Sequence, residues 1–335
     1  MSSTPTASAG PRVNYLRVSV TDRCNFRCQY CMPPEGVPAL RHEDVLRYEE
    51  ILRIARLALR LGVDKFRVTG GEPLVRKGIV GFVQSLGEVG GVRDLGMTTN
   101  GALLARFAGP LRDAGLRRVN VSLDTLRPER FRDLTRGGRL EDTLEGVREA
   151  ARAGLVPVKL NVVLLRGFND DEVPDFAALA CREDVQVRFI EFMPVGEAGN
   201  QRGAGERSVP NGEVMAAIAA RYALEGPEEG PGDTSTARTY RLPGGRGKVG
   251  FISPLSSHFC AWCNRLRLTP DGRLRACLLH DGDIDLRALL RGGASDDGLL
   301  AALREAVAHK HRIVDGFRAG SCLRKCTSSM SRIGG

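Results

Sequence analysis

Short runs of hydrophobic and β-branched residues alternate with longer amphipathic stretches from Val13 to about Met193. Six of these runs are predicted as strands: Tyr15–Val20, Lys65–Thr69, Leu95–Thr99, Arg118–Leu123, Pro157–Leu164 and Gln186–Met193. In one intervening stretch, Asp44–Leu61, apolar side chains recur every three or four residues up to Gly62, which predicts a helix. Strand-then-helix units in series predict a parallel sheet that closes, or nearly closes, into a barrel.

The pattern changes after Pro194, where Gly, Glu and Arg become frequent before a short predicted helix at Glu213–Tyr222. Residues 226–236 are rich in Gly, Pro, Glu and hydroxyl side chains, which is typical of a linker. Beyond it we predict strands Leu266–Leu268 and Arg273–Cys277 around a Pro270-Asp271-Gly272 turn, and helices Ile284–Leu290 and Leu299–Ala308. We therefore divide the chain into a barrel domain, residues 1–225, and a smaller α+β region, residues 226–335.

The composition favours a globular protein over a disordered or membrane-spanning one. Of 335 residues, 42% are hydrophobic and 27% are charged, and no apolar run reaches the ~18 residues needed to cross a bilayer. The N-terminal residues lack the apolar segment of an export signal, so we expect a cytoplasmic protein. The net charge of +9 indicates an anionic partner without separating nucleic acid from nucleotide.

The chain has nine cysteines, an odd number, which favours metal or redox chemistry over a disulfide framework. Cys24, Cys28 and Cys31 form a C-x3-C-x2-C group in the loop after the first predicted strand. Three thiolates can hold three irons of a cubane and leave the fourth iron open to another ligand. A zinc site would need a fourth donor, for which the nearest histidine is His42. The spacing therefore favours an iron–sulfur cluster.

Cys260, Cys263 and Cys277 form a second group, C-x2-C-x13-C. On spacing alone, half of a zinc ribbon and a second open cluster both remain possible. Cys181 lies on a predicted helix among apolar neighbours, so we expect it in the core. Cys322 and Cys326 fit no known pattern; surface thiols, a disulfide and a weak zinc site with His309 and His311 stay open.

The first cysteine loop, Cys24-Asn25-Phe26-Arg27-Cys28-Gln29-Tyr30-Cys31, resembles the signature loop of radical S-adenosylmethionine (SAM) enzymes. Gly70-Gly71-Glu72-Pro73 is similar to that superfamily's contact with the methionine amino group of SAM. The resemblance implies an α/β fold with a partial (β/α)6 barrel in which SAM chelates the open iron. Reductive cleavage of SAM then yields a hydrogen-abstracting 5′-deoxyadenosyl radical. The implied SAM contacts are Tyr30, Gly71, Ser122 and Met193.

A second resemblance covers about residues 12–335. Phe259–Thr269, Cys277 and the terminal Gly334-Gly335 are similar to the GTP 3′,8-cyclase family of radical SAM enzymes, as are Thr21–Cys24 and Ile190–Pro194. That family converts GTP to 3′,8-cyclo-7,8-dihydro-GTP, the first committed intermediate of molybdenum-cofactor biosynthesis. The resemblance implies that Cys260, Cys263 and Cys277 hold a second [4Fe-4S] cluster, whose open iron binds the purine of GTP.

By motif position, the implied GTP contacts are Arg17, Arg67, Thr98, Lys159, Arg265, Leu266 and Arg267, with Lys65 and Arg188 as further triphosphate neighbours. The implied catalytic residues are Arg17, Arg265, Arg267 and the tail glycines Gly334 and Gly335. The strand pattern also favours such roles, because a lone cation among apolar neighbours is costly unless it faces a cavity that holds an anion. We therefore expect a strongly positive barrel interior.

The resemblance further implies a flavodoxin- or ferredoxin-type electron donor, a downstream cyclic pyranopterin monophosphate synthase, and a monomer or homodimer without nucleic-acid or membrane partners. Two alternatives stay open. Another radical SAM enzyme with an auxiliary cluster, such as a peptide maturase, would share the first cysteine loop but lack Arg265, Arg267 and the glycine tail. A zinc-dependent nucleic-acid-binding protein would explain the charge and the cysteines, but only 5% of the residues are aromatic.

Overall fold

A mixed β-sheet forms the framework of the computed structural model of the chain, which describes residues 11–193, 204–228, 236–280 and 282–318. Its central strands are β1 (Tyr15–Ser19), β2 (Lys65–Thr69), β3 (Asp94–Thr99), β4 (Arg118–Ser122), β5 (Val158–Leu164) and β6 (Val185–Glu191). These strands lie side by side in chain order, and each pairs in parallel with the next. The prediction of a parallel sheet is confirmed.

Helices connect the successive strands: α1 (Tyr48–Arg60), α2 (Ile79–Gly87), α3 (Leu104–Asp113), α4 (Pro128–Thr135), α5 (Leu140–Arg152) and α6 (Val173–Arg182). Further along the described part of the chain lie α7 (Asn211–Ala219), α8 (Leu286–Arg291) and α9 (Asp296–Arg318). Buried apolar side chains of the strands and helices form one large core cluster, to which the half-buried Cys181 packs. None of the helices in these described ranges is both long and apolar enough to cross a membrane.

The later strands extend both edges of the sheet. They are β7 (Glu225–Glu228), β8 (Arg238–Arg241), β9 (Lys248–Ile252), β10 (Arg265–Leu268), β11 (Arg273–Arg275) and β12 (Ile284–Asp285). β10 pairs in parallel with β1, whereas β9 pairs in parallel with β6. The sheet is therefore an open, partial barrel with C-terminal strands at both edges, which confirms the fold class. The division at residue 225 stays a prediction, and strands from both sides of it share this sheet.

Several element boundaries differ from the sequence predictions by a few residues; for example, the strand predicted at Arg273–Cys277 ends at Arg275, and the helix predicted from Ile284 begins at Leu286. Two differences are larger. α1 begins at Tyr48 rather than Asp44, because Glu50 accepts a hydrogen bond from the backbone nitrogen of Arg47 (2.7 Å) and caps the helix there. The last helix extends to Arg318, well beyond the predicted end at Ala308. Its added turns bring Lys310 to the second cysteine group, so this underprediction concealed a contact of the site.

Ion pairs fasten the C-terminal helices to the segment around the start of α1. Arg287 pairs with Asp44 and Arg291 pairs with Glu50, each at 2.9 Å, while Arg53 on α1 reaches Asp296 at 2.8 Å. Most of these side chains are partly exposed, so each pair contributes little to stability. Together they fix where α9 lies against the strands that carry the second cysteine group.

Candidate active site

A cavity of about 460 Å³ lies inside the partial barrel, and all six cysteines of the two groups line it. Side chains in a strand alternate between its two faces, so every second residue of β1 to β6 points inward. The lining follows this rule on β1, β2 and β5, for example with Tyr15 and Arg17 on β1. The alternation therefore gathers one inward-facing set of polar side chains from separate strands.

The cavity wall is dominated by basic side chains. Those that line it from strands are Arg17, Lys65, Arg67, Arg118, Lys159, Arg188, Arg265 and Arg267. The acidic side chains of the wall are fewer: Asp94, Asp124 and Glu191. The structure thus brings together all of the cations that the sequence analysis selected for GTP, and their individual roles remain predictions.

The crowding of these cations lowers several of their pKa values. Burial and the nearby Arg188, Arg118 and Arg67 lower the pKa of Lys159 to about 6. Burial, together with Arg265 and Arg67, lowers the pKa of Arg17 to about 10, and the pKa of Arg267 is lowered for similar reasons. The cavity wall therefore carries more positive charge than its own acidic side chains neutralise, which favours the binding of an anion.

Tyr15 was not selected by the sequence analysis. Its phenol oxygen accepts a hydrogen bond from Nε of Arg67 at 3.0 Å, and Asn120 accepts another from Nη1 of the same arginine at 3.2 Å. Burial acts to raise the pKa of Tyr15, but Arg67 and Arg17 outweigh it and lower the pKa to about 7. The inward alternation of Tyr15 with Arg17 was the available signal for it.

Two polar atoms of the cavity wall have no hydrogen-bond partner in the described part of the chain. Oγ1 of Thr98 and Oδ1 of Asn161 are buried and accept or donate no hydrogen bond within the described ranges. Buried polar atoms are nearly always paired in folded proteins, so these two fit a site that a polar ligand completes. Thr98 was selected from the sequence for GTP, whereas Asn161 was missed.

The first cysteine loop is held against the end of α4. Backbone nitrogens of Arg27 and Gln29 donate to the carbonyl oxygens of Thr135 and Leu134, at 3.0 and 2.9 Å. Burial, the neighbouring thiols and the carboxylate of Asp124 raise the pKa of Cys28 well above its usual value. The environment of these thiols therefore disfavours bare thiolates, and coordination of each sulfur to a positively charged iron would offset that cost.

Gly71 lets two loops meet at the first cysteine group. Its backbone nitrogen donates to the carbonyl oxygen of Thr21 at 2.6 Å. A Cβ at this position would lie 2.7 Å from the carbonyl oxygen of Asp22 and would overlap that of Arg23. Only glycine fits this close backbone approach.

Glu72, the next residue, stabilises the loop that follows β3 through hydrogen bonds. It accepts hydrogen bonds from the backbone nitrogens of Leu74 and Asn100 and from the hydroxyl of Thr99, at 3.0, 2.7 and 2.8 Å. All four implied SAM contacts, Tyr30, Gly71, Ser122 and Met193, line the same cavity as the first cysteine group. The hydroxyl of Tyr30 donates to Asp124 at 2.7 Å. The loops thus form a continuous wall around the first three thiols.

The second cysteine group is assembled by a hairpin and a short turn. Cys260 and Cys263 flank a single 3-10 turn before β10, and antiparallel pairing of β10 with β11 carries Cys277 back to them. Burial opposes ionisation of Cys263, but Arg265 and Lys310 lower its pKa to about 6. Burial and the other two thiols raise the pKa of Cys260 to about 11.

The donor sets fit iron–sulfur clusters better than single metal ions. In the part of the chain that the structure describes, no three or more His, Cys, Asp or Glu side chains are arranged to hold one metal ion. A cubane binds each thiolate at a separate iron, so three neighbouring thiols that do not converge on one point suit it. In each group the three-thiol set leaves one iron for a ligand in the cavity, and this favours the cluster interpretation over zinc for both.

Leu266 is 2% exposed and packs into the core, so its side chain faces away from the cavity and only its backbone is available to a ligand. This follows from its position on β10 between the inward-facing Arg265 and Arg267. The tail glycines Gly334 and Gly335 lie outside the described residues, as do Cys322 and Cys326.

Comparisons with known proteins agree with this site. Residues 18–180 match the model of the radical SAM superfamily, and residues 185–315 match a model described as Molybdenum Cofactor Synthesis C. The crystal structure of Streptococcus suis SuiB bound to S-adenosylmethionine aligns over 95% of this chain and 77% of its own, with a TM-score of 0.56 and 14% identity. The barrel is therefore that of a radical SAM protein.

Curated relatives identify the family more closely. The GTP 3′,8-cyclase of Moorella thermoacetica is 49% identical over 327 residues, covering 97% of this chain and 98% of its own. That of Heliobacterium modesticaldum is 51% identical over 306 residues, covering 90% of this chain and 93% of its own. The chain belongs to the GTP 3′,8-cyclase family, as the sequence resemblance predicts. This membership disfavours the peptide-maturase and nucleic-acid-binding alternatives.

Proposed function

We propose that this chain converts GTP to (8S)-3′,8-cyclo-7,8-dihydroguanosine 5′-triphosphate, a radical SAM reaction of molybdenum-cofactor biosynthesis. The observation that carries the proposal is that both three-cysteine groups line one strongly cationic cavity. One cysteine group alone would support a radical SAM enzyme of any kind. Two groups that line one arginine-rich cavity suit a reaction in which SAM and an anionic nucleotide meet.

The strand cations would bind and neutralise the triphosphate. GTP carries close to four negative charges, so several fixed cations are needed, and arginine forks suit phosphate oxygens. Arg17, Arg67 and Lys159 come from three different strands and converge on the cavity. Because Lys159 has a pKa of about 6 in the free protein, arrival of the triphosphate would return a proton to its amine. The cavity therefore suits a polyanion more than a neutral substrate.

The first cysteine group, with the wall around it, would hold the reductive cluster and SAM. When bound, the [4Fe-4S] cluster and SAM supply the one-electron cleavage that generates the hydrogen-abstracting radical. Tyr30, Gly71, Ser122 and Met193 would hold SAM beside the cluster, and the buried wall would exclude water from the radical.

The second cysteine group would hold a [4Fe-4S] cluster, and the iron of that cluster without a cysteine ligand would bind the purine end of GTP. Arg265 and Arg267 leave β10 on the same face and would fix the nucleotide relative to that cluster. Because both cysteine groups line the same cavity, one GTP molecule at the second group would lie in the same chamber as the radical source. Orientation of this kind supplies much of the rate enhancement that proteins give to cofactor chemistry. The catalytic role of the tail glycines Gly334 and Gly335 remains a prediction of the family resemblance.

The partners follow from the same proposal. An electron donor of the flavodoxin or ferredoxin type would reduce the first cluster, and a cyclic pyranopterin monophosphate synthase would consume the product. We keep the cytoplasmic location and the monomeric or homodimeric state as predictions of the sequence.

Iron analysis with turnover tests this function. Reconstituted wild-type protein is expected to hold about eight irons, and Cys24→Ala or Cys260→Ala about four. Cys181→Ala removes a half-buried thiol that packs outside the cavity and serves as the matched control, with iron content and activity unchanged. Zinc in place of iron at the second group, or SAM cleavage that does not respond to GTP, would contradict the proposal.

A further inference from the structure

Lys310 makes an unusual pair of contacts at the second cysteine group. It lies on α9, is 2% exposed and lines the cavity. Its amine donates one hydrogen bond to Sγ of Cys263 at 3.0 Å and another to the carbonyl oxygen of Ala276 at 2.9 Å. Ala276 directly precedes Cys277, so this one side chain contacts both of the segments that carry the three cysteines.

The surroundings of Lys310 do not otherwise account for a buried cation. No carboxylate within the described ranges forms an ion pair with its amine, and burying an unpaired ammonium is costly. The sulfur of Cys263 is the anionic partner that the geometry offers. A cubane held by three thiolates carries net negative charge, so a cluster at this site would supply the compensating charge that Lys310 lacks.

We propose that Lys310 is a positioning residue of the second cluster, which holds Cys263 and the Ala276–Cys277 segment in place and raises the reduction potential of the cluster. This inference rests on the proposed assignment of Cys260, Cys263 and Cys277 as cluster ligands. Hydrogen bonds to ligand sulfurs and nearby positive charge both stabilise the reduced form of an iron–sulfur cluster. A charged donor contributes more than a neutral one, because its interaction with the sulfur is charge-assisted.

Cys24 of the first cysteine group has different hydrogen-bond donors. Sγ of Cys24 accepts from the backbone nitrogen of Phe26 at 3.4 Å and, more weakly, from the amide of Asn100 at 3.9 Å. Both donors are neutral. The effect of Lys310 is therefore expected at the second cluster and not at the first.

The test isolates the second cluster in the full-length chain. In a background in which Cys24, Cys28 and Cys31 are all changed to alanine, the midpoint potential is followed by electron paramagnetic resonance during redox titration. We expect Lys310→Met to lower the midpoint potential and to speed iron loss to a chelator, and Lys310→Arg to remain closer to the parent on both measures. Arg312→Gln is the matched control, because it removes one positive charge from the exposed face of the same helix.

The outcomes separate the two proposals. A background protein that holds no iron would overturn the cluster assignment itself. An unchanged potential and chelation rate in Lys310→Met would overturn the role of Lys310 while leaving the cluster assignment intact, even if GTP binding weakened. If Lys310→Met fails to assemble the cluster, Lys310→Gln and Lys310→Arg carry the test, and equal potentials for these two variants would contradict the charge effect.

Discussion

The two cysteine groups share a donor count but differ in charge. Carboxylates of Glu72 and Asp124 lie near the first group and act with burial to raise the pKa values of Cys24 and Cys28. At the second group, Arg265 and Lys310 lower the pKa of Cys263 to about 6 against the effect of burial. Cysteine spacing alone conceals this difference, since each group contributes three thiols to one cavity.

The charge difference matches the ligands that we propose for each group. SAM carries a positive sulfonium, which a site with nearby carboxylates tolerates well. GTP is a polyanion, which a site rimmed by arginine attracts. Two similar clusters could thus divide a reaction between them through the charges that surround them.

The largest effect is expected from a substitution at Gly71, where two loops approach each other closely. Gly71→Ala adds a Cβ that overlaps carbonyl oxygens of Asp22 and Arg23, so the first cysteine loop must move. We expect SAM cleavage to fall by more than about 100-fold, the loss typical of misplacing a reactive group by ~1 Å. Iron should fall from about eight to about four atoms as the first cluster is lost.

A matched glycine supplies the control for this variant. Gly81 lies on α2, and a Cβ there would meet nothing within 4 Å, so Gly81→Ala should retain both clusters and gain up to about 1 kcal/mol of stability. Full SAM cleavage by Gly71→Ala would show that the close approach is not needed. Loss of both clusters in that variant would show that the two sites are not independent.

The next effect tests the cationic half of the comparison. Arg267→Ala removes a cation whose pKa is lowered by burial and by Arg17 and Arg265. We expect GTP to bind about 30- to 100-fold more weakly, the equivalent of about 2–3 kcal/mol for a charged hydrogen bond. The free protein should unfold at higher denaturant concentration, because repulsion among the remaining cations falls. Binding is measured by calorimetry and stability by denaturant unfolding.

An exposed arginine on the adjacent strand provides the control for Arg267→Ala. Arg273 lies on the adjacent strand β11 and pairs weakly with Asp271 at 3.6 Å. Arg273→Ala removes the same charge without touching the cavity wall, so GTP affinity should change less than about threefold. Equal weakening by both variants would mean that overall charge, and not the cavity contact, attracts the nucleotide.

The strand pattern and the cysteine spacing were sufficient to predict much of this site. The family resemblance selected Arg17, Arg67 and Lys159 by motif position, and period-two alternation on β1, β2 and β5 supported that choice, since alternation fixes which face a residue occupies. Lys310 was missed because its partner Cys263 lies 47 residues away and only the extended α9 brings them together. Contacts set by tertiary packing leave no local periodic signal.

Two further residues show how a strand position limits what the sequence can predict. Leu266 was selected by motif position, and because its side chain points into the core between two inward-facing arginines, its predicted contact with GTP is left to its backbone. Asn161 alternates inward with Lys159 on β5, yet an asparagine on a strand carries no charge signal that distinguishes it from an ordinary polar residue. Its unpaired buried oxygen became visible only once the surrounding strands were in place.

A smaller effect is expected in the pH dependence of GTP binding. With a pKa of about 6, Lys159 is mostly neutral at pH 8 in the free protein, so triphosphate binding must draw in a proton. Affinity should therefore fall as pH rises above about 6, by at most tenfold per pH unit. The unfolded chain holds this proton more tightly, so the free protein should become more stable as pH rises from about 6 towards the ordinary lysine pKa.

Calorimetry in buffers of different ionisation enthalpy measures this proton uptake directly. Lys159→Met should remove about one proton from the uptake at pH 8, and the exposed Lys77→Met should leave it unchanged. An identical proton count in wild type and Lys159→Met would assign the uptake to the phosphate itself.

The smallest expected effect concerns Tyr15, whose hydroxyl accepts from Arg67 at 3.0 Å. Arg67 and Arg17 lower the pKa of Tyr15 to about 7 despite burial, so the phenolate stabilises the free protein. That contribution is complete above the ordinary tyrosine pKa near 10 and is lost as pH falls through about 7. Tyr15→Phe should therefore cost about 1–2 kcal/mol at pH 8 and less at pH 6. Saturating GTP should reduce this loss of stability, because phosphate oxygens then pair with the arginines.

Tyr48→Phe, which removes a hydroxyl that donates to the carbonyl oxygen of Lys77 at 3.3 Å, is the control and should show neither dependence. A Tyr15→Phe penalty that is constant with pH and GTP would mean that Tyr15 acts by packing alone.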